Sequence, residues 1–114
     1  MSKKPLHEQH CQPRKGAKDA LAGTAVKQYL GDLEGWKTAD KGSAIHKLFE
    51  FKNYYHTMAF VNAVAWIAHR EDHHPDLEVG YSKCRVRYST HDVGGLSLND
   101  FISAAKVDHL LAKG

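Results

Sequence analysis

Apolar and polar positions alternate between two periods along the chain. Leu21, Ala22, Ala25, Val26, Tyr29, Leu30 and Leu33 recur at helical spacing, and Gly31 and Gly35 punctuate the end, which predicts a short first helix. Trp36-Lys37-Thr38 reads as a short strand and Asp40-Lys41-Gly42 as the turn after it. Residues 44–51 form a second strand. Ile45, Phe49 and Phe51 share one of its faces, interrupted by Lys47, and His46, Leu48 and Glu50 lie opposite. Two strands this close in sequence predict an antiparallel hairpin.

Asn53 can cap a long central helix, because its side-chain oxygen accepts from the first free backbone N–H groups. That helix runs to about residue 71. Tyr54, Met58, Val61, Ala65 and Ala68 make its apolar stripe, which Phe60, Val64 and Ile67 widen, with Trp66 projecting beside it. Such breadth fits either a deeply buried helix or one that also packs on a second subunit. Leu77, Val79 and Tyr81 alternate as a third strand. Cys84, Val86, Tyr88 and Thr90 alternate as a fourth, which puts His91 on the polar face with Ser89 and the arginines. Ser97 and Asp100 make a capping box for a last helix, whose buried side carries Leu98, Phe101, Ile102, Ala105 and His109.

The order is therefore α-β-β-α-β-β-α. Short hairpins imply an α+β fold, a four-stranded antiparallel sheet with three helices on one face. The other sheet face would carry His46, Glu50, Arg85, Arg87 and His91, a reasonable place to bind a polar ring.

With 114 residues the chain is one domain on size. Residues 1–18 are polar, hold Pro5, Pro13 and Gly16 and lack an apolar period, so they are expected to be a mobile basic tail ahead of a single domain over 19–114. The formal charge of +3 owes much to this tail and argues little for nucleic acid. No apolar run is long enough to span a membrane, and no apolar segment follows the basic start, so cytoplasm is the expected location. Cys11 and Cys84 lack zinc spacing and are expected as free thiols.

Nine histidines are the compositional anomaly. Two of them fall in Glu71-Asp72-His73-His74-Pro75, where Pro75 disfavours helical geometry at His74, so the pair sits at a helix end and turn. Ser89-Thr90-His91-Asp92 closes the fourth strand. Imidazoles titrate near neutrality, so His73, His74 and His91 around one ligand could supply both a general acid and a general base. A metal site is the rival, because His69 and His73 are four apart on a helix, with His74, Asp72 or His91 as a third ligand. A third possibility is that these histidines only cap the helix end. No nucleophile elbow accompanies them, and no phosphate-cradling loop accompanies Gly94-Gly95.

Taken together, Asp72-His73-His74-Pro75-Asp76, Tyr81, Ser89-Thr90-His91, Leu96-Ser97 and Asp100 resemble the pterin-4a-carbinolamine dehydratase family. His91 stands eighteen positions after His73, and Asp100 nine after His91, as in the family's signature. Gly35-Trp36, the second strand and Asn53 also fall in register, so the resemblance covers residues 21–111.

The resemblance implies dehydration of 4a-hydroxytetrahydropterin to quinonoid dihydropterin, the step that follows an aromatic amino acid hydroxylase. It implies His73 and His91 as acid/base groups and His74 as orienting the pterin. Asp72, Pro75, Ser89, Thr90 and Asp92 would line the substrate site, with Asp100 supporting it or capping the helix. It implies no metal and no organic cofactor, and a homodimer or homotetramer. The chain departs from the pattern at His69, where vertebrate members carry glutamate, and at Leu77, where an aromatic is common. The competing expectation is a non-catalytic, protein-binding scaffold of the dimerisation or transcription cofactor type.

Overall fold

The computed structural model describes residues 4–111. Residues 1–3 of the expected tail and 112–114 of the expected domain lie outside the described residues. The elements run α1 (Gly23–Gly31), β1 (Lys37–Ala39), β2 (Ala44–Glu50), α2 (Tyr54–Glu71), β3 (Asp76–Val79), β4 (Lys83–Tyr88) and α3 (Leu98–Leu110). This is the α+β order read from the sequence. The sheet is ordered β1-β2-β4-β3, and every neighbouring pair is antiparallel.

The central pair β2 and β4 sets the core. Ile45 pairs with Tyr88 and Phe49 with Cys84, so the period of two stacks Ile45, Phe49, Cys84, Val86 and Tyr88 on one face. Phe60 and Val64 of α2 and Phe101, Ala104 and Val107 of α3 close over them. Each such fully buried large side chain contributes about 1.5–3 kcal/mol over its exposed state. Lys47 interrupts the apolar face as expected. Its Nζ donates to Asp108 Oδ1 at 3.0 Å and to the Glu34 carbonyl at 2.7 Å, so the charge is paired where it enters the core edge.

Asn53 caps α2 through its Oδ1, which accepts from the His56 N–H at 2.9 Å. The helix buries Thr57, Phe60, Val64 and Ala68. The expected stripe through Tyr54, Met58 and Ala65 is displaced, and Tyr54 is exposed. The buried set includes one polar residue, Thr57. Thr57 is admitted because its Oγ1 lies 2.9 Å from the carbonyls of both Asn53 and Tyr81.

Strand ends also differ from expectation. Trp36 precedes β1 and is buried, its Nε1–H donating to the Asp108 carboxylate at 3.0 and 3.1 Å. Strand β4 stops at Tyr88. Thr90 then bridges Gly95, its N–H reaching the Gly95 carbonyl at 2.8 Å. His91 therefore leaves the sheet into a one-turn 3-10 helix, His91–Val93, and is absent from the polar face that it was expected to share. The segment expected as a mobile tail carries specific contacts instead. Its 3-10 turn Leu6–Glu8 lies on α3, where Lys106 Nζ donates to the His7 carbonyl at 2.9 Å. No helix among the described residues is long and apolar enough to cross a membrane.

Candidate active site

The end of α2 makes the site's first wall. Asp72 takes the left-handed conformation (φ 51°, ψ 43°), which aspartate tolerates better than most residues. Its N–H and that of His73 both reach the Ala68 carbonyl, the latter at 3.2 Å, which closes the helix in a Schellman-like turn. The metal reading needed His73 on the helix with His69. It instead lies beyond this turn, its ring against Asp100 of α3.

The start of α3 makes the second wall. The Ser97–Asp100 capping box forms as expected, the Ser97 N–H donating to Asp100 Oδ2 at 2.9 Å. The same oxygen accepts from Thr90 Oγ1 at 2.7 Å, and Thr90 Oγ1 lies 2.7 Å from Ser97 Oγ. The other carboxylate oxygen, Oδ1, lies 2.7 Å from His73 Nε2. Asp100 has no exposed surface. A carboxylate buried so completely needs hydrogen-bond donors, and here backbone, hydroxyl and imidazole supply three.

This wiring assigns the histidine's tautomer. With Asp100 as carboxylate, Nε2 of His73 donates to Oδ1, which leaves Nδ1 as the ring's available acceptor. The ring plane is fixed as well. It stacks on Tyr88 with centroids 5.7 Å apart and an interplanar angle of 8°. The Tyr88 hydroxyl is buried without a hydrogen-bond partner among the described residues, and burial pushes its pKa well above the usual phenol value.

Beside this pair lies a cavity of about 290 Å³, lined by Asp72, His73, Thr90, Asp92 and Asn99. Residues 11–15 line it too. Their anchor is Glu71, whose Oε1 accepts from the Cys11 N–H at 2.8 Å while Oε2 lies 3.0 Å from His10 Nδ1. Partial burial pushes the Glu71 carboxyl up, but the Cys11 N–H, His10 and Lys106 pull harder the other way and hold it below the usual carboxylate range. Burial raises the Cys11 thiol to about 11, despite a contact of 3.5 Å with Ser103 Oγ.

The residues singled out in the sequence thus divide. His73, Thr90 and Asp100 are brought into one network, and Asp72 and Asp92 line the same cavity. His74 and His91 stand outside this network; His91 is exposed, although it lies between two cavity-lining residues, and His74 is open to solvent beside Pro75. Ser89 and Pro75 are half-buried and do not line this cavity. His69 is exposed on α2, its ring 5.9 Å from Trp66, and it does not share a helical face with His73. Sequence reasoning missed Cys11, Arg14, Asn99 and the stacking role of Tyr88. The first three are joined by contacts across more than eighty residues, which no local period reports.

Comparison with known proteins matches the family model described as pterin 4 alpha carbinolamine dehydratase to residues 19–110. A protein of Xanthomonas oryzae pv. oryzae, named provisionally as a pterin-4-alpha-carbinolamine dehydratase, is 56% identical over 110 residues, covering 96% of this chain and 93% of its own. A protein of Nitrosospira multiformis with the same provisional name is 57% identical over 105 residues, covering 92% and 91%. Among solved structures, a transcriptional coactivator/pterin dehydratase from Brucella melitensis matches with a TM-score of 0.76 at 29% identity, over 79% of this chain and 96% of that one. A pterin dehydratase-like protein identified as a RuBisCO assembly factor in the alpha-carboxysome matches at 0.61 and 25%, over 69% and 92%. Family model, full-length relatives and fold agree, and the chain belongs to the pterin-4-alpha-carbinolamine dehydratase family.

Proposed function

We propose that this protein is a hydro-lyase that dehydrates 4a-hydroxytetrahydropterin to quinonoid dihydropterin by histidine acid/base catalysis. The observation that carries the proposal is the 2.7 Å contact between His73 Nε2 and the buried Asp100, at the edge of a cavity large enough for a small bicyclic ring.

Loss of water from the substrate breaks the C4a–O bond and removes the N5 proton. One group must protonate the departing hydroxyl and another must accept from N5. His73, oriented by Asp100 and Tyr88, presents Nδ1 to one of these transfers. His91, in the turn between Thr90 and Asp92, carries the other after moving towards the bound ring. Positioned proton transfer of this kind contributes about 10²- to 10⁴-fold. His74 orients the pterin, and Asp72 and Asp92 meet its amino and N3–H donors. The reaction would recycle the pterin consumed by an aromatic amino acid hydroxylase. A homodimer or homotetramer is the assembly this reading carries, formed over the exposed Tyr54, Tyr55 and Trp66 of α2.

Generating the carbinolamine in situ with a hydroxylase and following its ultraviolet decay tests the proposal. Acceleration at micromolar protein supports it, and decay at the spontaneous rate overturns it. The second reading is a protein-binding scaffold, favoured by those same exposed aromatics and by the fold shared with the RuBisCO assembly factor. It predicts partner binding that survives loss of His73.

A further inference from the structure

We propose that residues 11–15 are a wall of the substrate pocket, and that Arg14 is a substrate-binding residue that donates to the C4 carbonyl oxygen of the pterin ring. This deepens the pterin reading and rests on it.

The segment lies outside the stretch matched by the family model, which begins at residue 19. It is nonetheless built into the site. The Asn99 side chain clamps it in both directions, Oδ1 accepting from the Gln12 N–H at 3.0 Å and Nδ2 donating to the Gln12 carbonyl at 2.7 Å. Asn99 is only 6% exposed, so this amide pair replaces water on both sides of its group. The Gly16 N–H donates to the Asp92 carbonyl at 3.0 Å, which closes the far end. Between these fixed points Arg14 lines the cavity.

Arg14 is also preorganised. Its Nε–H donates to Asn99 Oδ1 at 3.1 Å, so the oxygen that holds the strap also sets the guanidinium. The terminal guanidinium N–H groups have no hydrogen-bond partner among the described residues. Lys15 lines the same cavity, but it is exposed and its side chain makes no such anchoring contact among the described residues. A planar fork held at Nε keeps two donors pointing in a fixed direction, which suits a carbonyl acceptor better than a mobile ammonium does. The pterin nucleus is polar in the matching sense. Its 2-amino and N3–H groups are donors, suited to Asp72 and Asp92, and the adjacent C4 carbonyl is an acceptor that those carboxylates would repel.

The test is calorimetric binding of oxidised biopterin to the full chain, alongside a 2,4-diaminopteridine that replaces the C4 carbonyl with an amino group. Arg14→Ala and Arg14→Gln should each weaken biopterin binding about tenfold, the scale of one charge-assisted hydrogen bond, and Arg14→Lys should regain part of it. Lys18→Ala, just beyond this segment and away from the cavity, should stay within about twofold. The parent should prefer the oxo ring over the diamino ring, and Arg14→Gln should lose that preference. Equal binding by parent and Arg14→Gln, or an unchanged oxo-to-amino preference, overturns the proposal. A parent that binds no pterin overturns it together with the pterin reading. A parent that binds but does not dehydrate removes the catalytic reading alone, and the Arg14 comparison still decides.

Discussion

His73 Nε2 and Asp100 Oδ1 lie 2.7 Å apart across the junction of the central and last helices, with the carboxylate wholly buried. The two residues are 27 positions apart in sequence, and each is placed by a helix terminus. Asp100 therefore both caps α3 and orients the imidazole, so a change at that position should be felt in stability and in catalysis together.

Asp100→Asn keeps the shape but leaves a single oxygen to serve His73, Thr90 and the Ser97 N–H. We expect a loss of about 1–3 kcal/mol, seen as a melting temperature several degrees lower. Carbinolamine turnover should fall by about 10²-fold, because the neutral amide no longer fixes the tautomer. Thermal melts and the decay assay on one preparation check both.

Thr90→Val removes one hydroxyl in a nearly isosteric exchange. It leaves Asp100 Oδ2 and Ser97 Oγ each short of a partner in a buried setting, which costs about 1–3 kcal/mol. The urea midpoint should drop with an unchanged slope. An unchanged midpoint would mean that water replaces the hydroxyl.

Glu71 predicts an acid sensitivity. Its folded pKa lies below its unfolded value of 4.5, so the stabilisation is complete above that value and is lost as pH falls through the folded pKa. At pH 7 Glu71→Gln should be less stable than the parent, and the difference should shrink towards pH 3. Denaturant midpoints of both proteins across that range measure it. A gap that widens on acidification would contradict the sign.

Cys11 should be nearly inert to iodoacetamide at pH 8, because burial holds its thiol protonated, up to about 11. Asn99→Ala releases the strap clamp and should speed alkylation about tenfold or more, tracked by mass spectrometry. Cys84, enclosed in the core strand, should stay unreactive in both proteins.

Much of this was legible in the chain. Caps at Asn53 and Ser97 and the alternation through Cys84, Val86 and Tyr88 are local signals, and they specified α2, α3 and β4. The signature spacing singled out His73 and Asp100, but not that they touch, and it paired His73 with His91 instead. What local pattern could not supply was direction. The left-handed step at Asp72 turns His73 out of the helix, and the Thr90–Gly95 bridge takes His91 off the sheet. Both are local backbone turns, made by N–H bonds to the Ala68 and Gly95 carbonyls, and side-chain periodicity does not report them. The strap from Cys11 to Lys15 was invisible for a different reason, since Asn99 holds it by long-range hydrogen bonds and a polar segment without a period gives no sign of where it docks.

The proposed division of labour among the three histidines is testable by single substitutions. His73→Ala and His91→Ala should each lose about 10²-fold or more of the acceleration, while retaining oxidised pterin. His74→Ala should chiefly weaken binding.

The most direct test of the central claim is stopped-flow decay of the 4a-carbinolamine with equal concentrations of the parent and of His73→Ala. We predict a parent rate far above the spontaneous one and a His73→Ala rate close to it. Equal acceleration by the two proteins, or none by either, would contradict the assignment of His73, held by Asp100, as the acid/base group.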